Sequence, residues 1–248
     1  METNYRNTNI DRFQTSQVVN TRTLLASVFT WMFIALGITT LISVLFANVE
    51  GLGNILFSEH LNAAGNLVKS PNALFWICLF APLGLVMVIN FAMEKLSFAV
   101  LLGLFFLYAA VNGVTFSVII MSYTAASVAK VFASTCALFG VMAIAGYTTK
   151  ADLTKMGSLL FIGLIGIIIA TIINMFGQWS TLSLIISILG VIIFTGLTAY
   201  DVQKIKEMST YSDGSAMYQK LGVRGALTLY LDFINIFLYL LRLFGKRD

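Results

Sequence analysis

Two aspartates stand out because they lie in or beside stretches that are otherwise apolar. Asp232 is in the middle of the apolar stretch 221–244, and Asp201 follows Tyr200 at the end of an earlier stretch. An ionisable side chain inside a transmembrane helix costs roughly 2.5–3.5 kcal/mol on insertion scales. Asp232 is therefore expected to face other helices or a water-filled pathway. For Asp201, an ordinary carboxylate at a helix end is as good an explanation as a functional one.

The chemistry open to this pair is proton sharing and transient cation binding. Two carboxylates that meet in a low-dielectric interior cannot both ionise cheaply, so Asp201 and Asp232 are expected to titrate as one unit. Ca²⁺ prefers carboxylate oxygens and would compete with the shared proton. The pair is therefore predicted to be a pH sensor on an ion pathway, with protons and transiently bound calcium as its ligands.

A polar stripe accompanies Asp232 along the last apolar stretch. Its members recur at steps of four, three, four and three, which places them on one helix face: Thr228, Asp232, Asn235, Tyr239 and Arg242. A hydrogen-bonded seam between helices and a solvated pathway explain this stripe equally well. The third apolar stretch has a similar face that includes Asn112 and Thr115, and we expect it to be the partner of the last one.

The elements that must position these residues are membrane-spanning helices. The chain of 248 residues is 58% hydrophobic and only 10% charged, too few charges to coat a soluble body of this size. Its apolar residues form continuous runs rather than the alternating strands of a barrel. We therefore predict an all-α polytopic membrane protein with a tail at 1–23 and a single transmembrane domain at 24–248. Its seven spans are expected at about 24–47, 72–93, 97–121, 127–147, 157–177, 182–200 and 221–244.

Composition argues against several other classes of protein. The two cysteines lie in apolar runs and the single histidine, His60, lies in a loop, so neither a disulfide framework nor a histidine metal site can be assembled. GxxxxGK[ST], GxGxxG and HExxH motifs do not occur. The basic residues are spread over loops without interleaved aromatics, which argues against nucleic acid as a partner. We predict a protein of the lipid bilayer that is not an enzyme and has no cofactor.

The distribution of Lys and Arg predicts the orientation in the membrane. With the amino terminus in the cytoplasm, nine basic residues lie inside: Arg6, Arg12, Arg22, Lys95, Lys150, Lys155, Lys204, Lys206 and Lys220. Counted over the first six spans, only Lys69 and Lys130 then lie outside, and this bias fits the positive-inside rule. The remaining four basic residues flank the last stretch: Arg224, Arg242, Lys246 and Arg247. The last stretch is long enough to span and is interpreted as a full-length helix, although a re-entrant one would keep its flanking basic residues inside. The side of the carboxyl terminus stays open.

Four motifs resemble the Bax inhibitor family of membrane proteins, and the likeness covers about residues 22–245. They are FTGLTAYDVQKIK at 194–206, ALTLYLDFINIFLYLLR at 226–242, AGYTTKADLT at 145–154 and NGVTFS at 112–117. The resemblance is to a bacterial member and implies seven helices with a central, semi-polar last one. It also implies a pH-sensitive calcium leak in which aspartates of the sixth and seventh helices share a proton. By motif match these are Asp201 and Asp232.

Three other functions compete with a proton-regulated cation leak. A proton-coupled exchanger of ions or solutes would use the same acids. The broken helices typical of such exchangers are only weakly indicated by this sequence, because its only prolines are Pro71 and Pro82. An intramembrane aspartyl protease also pairs two aspartates, and one of them follows a tyrosine, as in Tyr200-Asp201. The second aspartate of such proteases lies in a Gly-x-Gly context, which Asp232 lacks. A membrane regulator that transports nothing is the third alternative.

We predict that Cys78 and Cys136 are unpaired and functionally silent, because each lies in an apolar run without a metal-binding neighbour. Replacing both with Ala should leave folding and ion flux nearly unchanged in purified protein. A large loss of flux from a well-folded double variant would contradict this prediction.

Overall fold

Seven long helices make up most of the computed structural model, which describes residues 2–49, 51–61, 67–210 and 216–247. Side chains are described for 21–49, 51–60, 67–209 and 217–247. The helices are α1 (Glu2–Asn48), α2 (Ala73–Phe91), α3 (Phe98–Ile120), α4 (Ala125–Thr148), α5 (Thr154–Gly177), α6 (Ser180–Thr210) and α7 (Ala216–Phe244). Within the described ranges, all seven are long and apolar enough to cross a membrane. The predicted all-α polytopic membrane fold is confirmed.

The predicted tail at 1–23 falls largely on residues whose side chains lie outside the described part. The backbone of α1 begins at Glu2, so the helix starts well before the apolar run that was expected to open it at residue 24. Its membrane span begins at Thr21.

Polar residues at the helix ends explain where several spans begin. The side chain of Asn72 accepts a hydrogen bond from the backbone N–H of Phe75 (3.1 Å) at the start of α2. Ser97 accepts one from Val100 (3.4 Å) at the start of α3. Before α5, Asp152 accepts a hydrogen bond from the backbone N–H of Thr154 (2.8 Å), and its hydrogen bonds from Thr154 hold the pKa of this exposed carboxyl below its usual value.

The connection between α1 and α2 contains secondary structure that the sequence did not predict. A 3₁₀ turn at Gly53–Leu56 leads into an antiparallel hairpin of β1 (Phe57–Leu61) and β2 (Leu67–Pro71). Its register pairs Glu59 with Lys69, whose charged groups lie 3.4 Å apart. Both side chains are more than half exposed, so this ion pair adds little stability.

The sixth helix is longer than predicted, and this changes the position of Asp201. We expected the span to end at Tyr200, but α6 continues to Thr210. The extension is amphipathic, with Val202, Ile205 and Ser209 buried against the protein while Lys204 is exposed. Asp201 therefore lies within a helix, nine residues before its last residue. Its interpretation as an ordinary helix-end carboxylate is wrong.

The chain divides into two compact units, one formed by residues 1–31 and 130–244 and the other by 32–129 and 245–248. In the second unit, hydroxyl groups of α1 donate to carbonyl oxygens of α3: Thr39 to Ala109 (2.9 Å) and Ser43 to Gly113 (3.0 Å). Such hydrogen bonds join helices that lack a hydrophobic driving force in lipid. The single domain predicted for 24–248 stays a prediction.

The first unit holds both aspartates, and α7 is its most buried helix. In an apolar stretch of 18 residues, 56% of the residues of α7 are buried, against 6% for the corresponding stretch of α5. Tyr230, Phe233 and Ile236 of this helix are almost fully buried. The predicted central, semi-polar last helix is confirmed.

The carboxyl-terminal residues pair with the connection between α3 and α4. The backbone N–H of Thr124 donates to the carbonyl of Lys246 (3.0 Å), and the N–H of Lys246 donates to the hydroxyl of Ser127 (2.9 Å). Both hydrogen bonds lie within the second compact unit. Since α7 is continuous over 29 residues, the full-length interpretation of the last helix holds and the re-entrant one does not.

Two glycines let neighbouring helices approach α6 closely just before Asp201. A Cβ at Gly146 of α4 would lie 2.8 Å from the backbone carbonyl carbon of Ala199. A Cβ at Gly157 of α5 would lie 2.6 Å from the ring of Tyr200. Only glycine fits these close approaches, and they hold the chain immediately before Asp201.

We therefore expect Gly146→Ala to lower stability by about 1–3 kcal/mol, because the obstructing group is backbone and cannot move aside. Thermal unfolding in detergent measures the effect. Gly166→Ala in α5 is the matched control, since nothing lies within 4 Å of a Cβ there. Equal melting temperatures for the two variants would contradict the prediction.

Candidate functional site

The structure brings Asp201 of α6 and Asp232 of α7 together. Their side chains lie within hydrogen-bonding distance of each other. Asp232 is 4% exposed, and Asp201 is partly buried. A carboxylate oxygen can only accept, so a hydrogen bond between two carboxyl groups requires a proton on one of them.

The charges around the pair favour a shared proton. Two unit negative charges 4 Å apart repel by about 4 kcal/mol at an effective dielectric constant of 20. Among the described side chains, Lys204 is the cation that acts on Asp201, and the charge that acts on Asp232 is Asp201 itself. The Lys204 ammonium is exposed and lies 5.5 Å from the centre of the Tyr200 ring. It does not neutralise the buried end of the pair.

One oxygen of the pair has no partner. Asp232 Oδ2 is buried and makes no hydrogen bond to any part of the chain that the structure describes. An unpaired buried acceptor of this kind costs about 1–3 kcal/mol. A proton, a water molecule or a cation at this oxygen would recover that cost.

The connection between α4 and α5 anchors α6 just after Asp201. The side-chain oxygen of Gln203 accepts from the backbone N–H of Leu153 (2.9 Å), and its amide nitrogen donates to the carbonyl of Ala151 (2.8 Å). With the close approaches at Gly146 and Gly157, these bonds restrain the helix on both sides of the carboxylate. Sequence reasoning missed this role, although Gln203 and the connection both lie in motifs that it singled out.

Aromatic rings surround the residue next to Asp232. The ring of Phe233 makes edge contacts with Phe132 and Phe139 of α4, each at 5.5 Å between ring centres. These rings are rigid and apolar, so they hold α7 in place and keep water from this side of the helix. Sequence reasoning missed the cluster because phenylalanine is common throughout the spans.

Two side chains of the polar stripe donate hydrogen bonds to backbone carbonyls of their own helix, α7. The Thr228 hydroxyl donates to the Arg224 carbonyl (3.1 Å), and the Asn235 amide donates to the Leu231 carbonyl (2.8 Å). The oxygen lone pairs of both side chains are left as acceptors. These oxygens can accept a hydrogen bond from water or bind a cation.

Farther along α7, the stripe ends in ring contacts. Tyr239 stacks against Phe194 of α6 with 5.9 Å between ring centres. The guanidinium carbon of Arg242 lies 5.8 Å from the centre of the Tyr239 ring, and Arg242 is exposed. Tyr239 therefore packs between Arg242 of its own helix and Phe194 of α6.

The two predicted pathway residues of α3 belong to the second compact unit and bond within it. The Asn112 amide donates to the Tyr108 carbonyl (3.1 Å) of its own helix. The Thr115 hydroxyl donates to the Cys78 carbonyl of α2 (3.2 Å). Their predicted partnership with the last helix stays a prediction. Cys78 and Cys136 are free thiols; Cys78 is partly exposed and Cys136 is exposed.

The pair offers at most two carboxylates to a metal ion. Within the described ranges, no three His, Cys, Asp or Glu side chains converge on one point. Ca²⁺ takes about six to eight oxygen ligands, so an ion at this site would keep part of its water shell. That arrangement fits transient passage better than permanent binding.

Comparison with known proteins relates the whole transmembrane region to one family. The family model described as inhibitor of apoptosis-promoting Bax1 matches residues 21–248. The inner membrane protein YbhL of Escherichia coli K12 is 40% identical over 96% of this chain and 100% of its own length. An uncharacterized protein of Borreliella burgdorferi is 44% identical over 90% of this chain and 91% of its own. The resemblance found in the sequence motifs is confirmed, and the chain belongs to the Bax inhibitor family.

Proposed function

We propose that this protein is a proton-regulated cation leak that passes calcium along a route controlled by Asp201 and Asp232. The observation that carries the proposal is the carboxyl pair of buried Asp232 and partly buried Asp201, in which one oxygen of Asp232 has no hydrogen-bond partner among the described residues. A group kept in the membrane at this cost is expected to act on ions or protons.

The proposed regulation is competition between a proton and a cation for the same oxygens. With one proton, the pair forms a hydrogen bond that ties α6 to α7. Without it, two negative charges repel each other and attract a divalent cation. Acceptor oxygens of Thr228 and Asn235 lie along the same helix face and support passage of a partly hydrated ion.

The continuity of the two helices disfavours a coupled exchanger. Transporters of that class commonly place their sites at breaks in discontinuous helices, whereas α6 and α7 are continuous through both aspartates. An intramembrane aspartyl protease ranks lower, because its Gly-x-Gly context is absent. A regulator that transports nothing is the remaining alternative, and a flux measurement separates it from a leak.

For the location, we propose the inner membrane of a bacterium with the amino terminus in the cytoplasm. The name of the related YbhL supports the membrane, and the bias of basic residues supports the orientation. The carboxyl terminus then lies outside, because an odd number of spans separates the two ends.

The pair is tested by replacing each aspartate with asparagine and measuring calcium flux into liposomes across pH. Asn keeps the shape but removes the shared proton, so the pH dependence should flatten or shift by about one pH unit or more in either variant. The double variant should add little, because each single change already destroys the coupled unit.

Asp152→Asn is the matched control, since Asp152 is an exposed acid outside the spans, and it should behave as wild type. Sodium and potassium controls establish selectivity, and flux without an opposing gradient separates a leak from an exchanger. Unchanged pH profiles in well-folded Asp201→Asn and Asp232→Asn would show that the acids are structural. No calcium flux in wild type would favour the regulator.

The orientation is tested by cysteine labelling in a cysteine-free background. Lys204→Cys should resist an impermeant thiol reagent added to intact cells, whereas Arg247→Cys should react, since the two exposed positions are proposed to face opposite sides. Labelling of position 204 alone would reverse the orientation, and labelling of both or neither would contradict the seven-span topology.

A further inference from the structure

A cavity of about 300 Å³ opens between α1, α4 and α6 in the first compact unit. Its lining includes Arg22, Leu25 and Phe29 of α1, Ile144 and Tyr147 of α4, and Val202 of α6. The volume is at the lower end of the range of about 300–1,000 Å³ for small-molecule sites. The cavity lies apart from the proposed ion route.

The cavity extends from the membrane surface towards the hydrocarbon. Arg22 is the second residue of the first span, and Tyr147 is the second-last residue of α4, so both mark the polar end. Phe29 lies two helical turns farther along α1. The buried side chains of Leu25 and Val202 make the floor apolar, which suits a hydrocarbon chain.

Positive charge is concentrated at the polar end. Arg22 is exposed, and among the described residues no carboxylate lies within ion-pair distance of it. The Lys206 ammonium donates to the Tyr147 carbonyl (2.8 Å) and lies 5.0 Å from the centre of the Tyr147 ring. A guanidinium can donate two parallel hydrogen bonds to a phosphate, and the ammonium adds a second positive charge nearby.

We propose that this cavity binds an anionic phospholipid, with the phosphate at Arg22 and one acyl chain along Leu25, Phe29 and Val202. The apolar floor distinguishes this ligand from a free anion, because each buried methylene contributes about 0.8 kcal/mol. The positive charges of Arg22 and Lys206 distinguish it from a zwitterionic lipid, whose headgroup carries no net charge. Basic pockets between spans are known sites for anionic headgroups.

The site would connect lipid composition to the helix that carries Asp201. Val202 follows Asp201 directly, and Lys206 lies one turn farther along α6. A lipid held here contacts α6 on the cavity side while Asp201 meets Asp232 of α7. The proposal that lipid binds in this cavity does not depend on the proposed ion route.

Native mass spectrometry of the full-length protein tests the site with phosphatidylglycerol and phosphatidylcholine of identical acyl chains. Wild type should bind phosphatidylglycerol more tightly. Arg22→Gln should weaken that binding about fivefold, the effect expected for one basic residue at a membrane surface, while leaving phosphatidylcholine unaffected. Arg22→Lys keeps the charge and should restore most of the preference.

Arg224→Gln is the matched control, because it removes an exposed arginine of α7 that does not line the cavity. Equal binding of the two lipids by wild type would overturn the proposal. So would equal losses in Arg22→Gln and Arg224→Gln, which would indicate general attraction to the bilayer. A dimer that weakens in Arg22→Gln, with lipid binding unchanged, would assign the cavity to a second copy of the chain.

Discussion

The burial of Asp232 is the constraint on which the rest of the first compact unit depends. A carboxyl group in the most buried helix of the chain must have a partner, and Asp201 of the neighbouring helix is that partner. The partner must itself be held in place, because a shift of one turn along α6 would leave Asp232 alone in a low-dielectric interior. Glycine contacts and a buried amide restrict such a shift, and an aromatic cluster holds α7 against α4.

Most of the fold follows from composition because the bilayer leaves few solutions. A chain of this hydropathy must satisfy its backbone within helices, so the apolar runs located all seven spans to within a few residues in most cases. Prediction was least accurate at the end of α6. There, exposed Lys204 lies between buried Val202 and Ile205. Because the mean hydropathy of such a segment is low, hydropathy alone predicts a polar loop instead of a helix. The hairpin before α2 was missed because its strands are short and partly charged.

The candidate site, like the fold, could be predicted only in part from the sequence. Asp232 could be recognised because an acid in an apolar run is rare, and Asp201 because it lies in a specific motif. The residues that hold the pair in place could not be recognised from the sequence, because glycine and glutamine, as at Gly146 and Gln203, are common residue types. What makes them important is a contact between segments about 50 residues apart, as between Gln203 and the α4–α5 connection. Spacing along a single helix carries no information about such contacts.

The two hydrogen bonds of Gln203 have a consequence for local unfolding. One side chain serves as acceptor for Leu153 and donor to Ala151, so it satisfies two backbone groups that lie outside any helix ladder. If the last turns of α6 fray, both groups lose their partners at once, and if the connection opens, the glutamine amide is left unpaired in a largely buried position. Neither segment can open cheaply alone. The connection and the end of α6 therefore form one cooperative unit, whose amide protons exchange together rather than residue by residue.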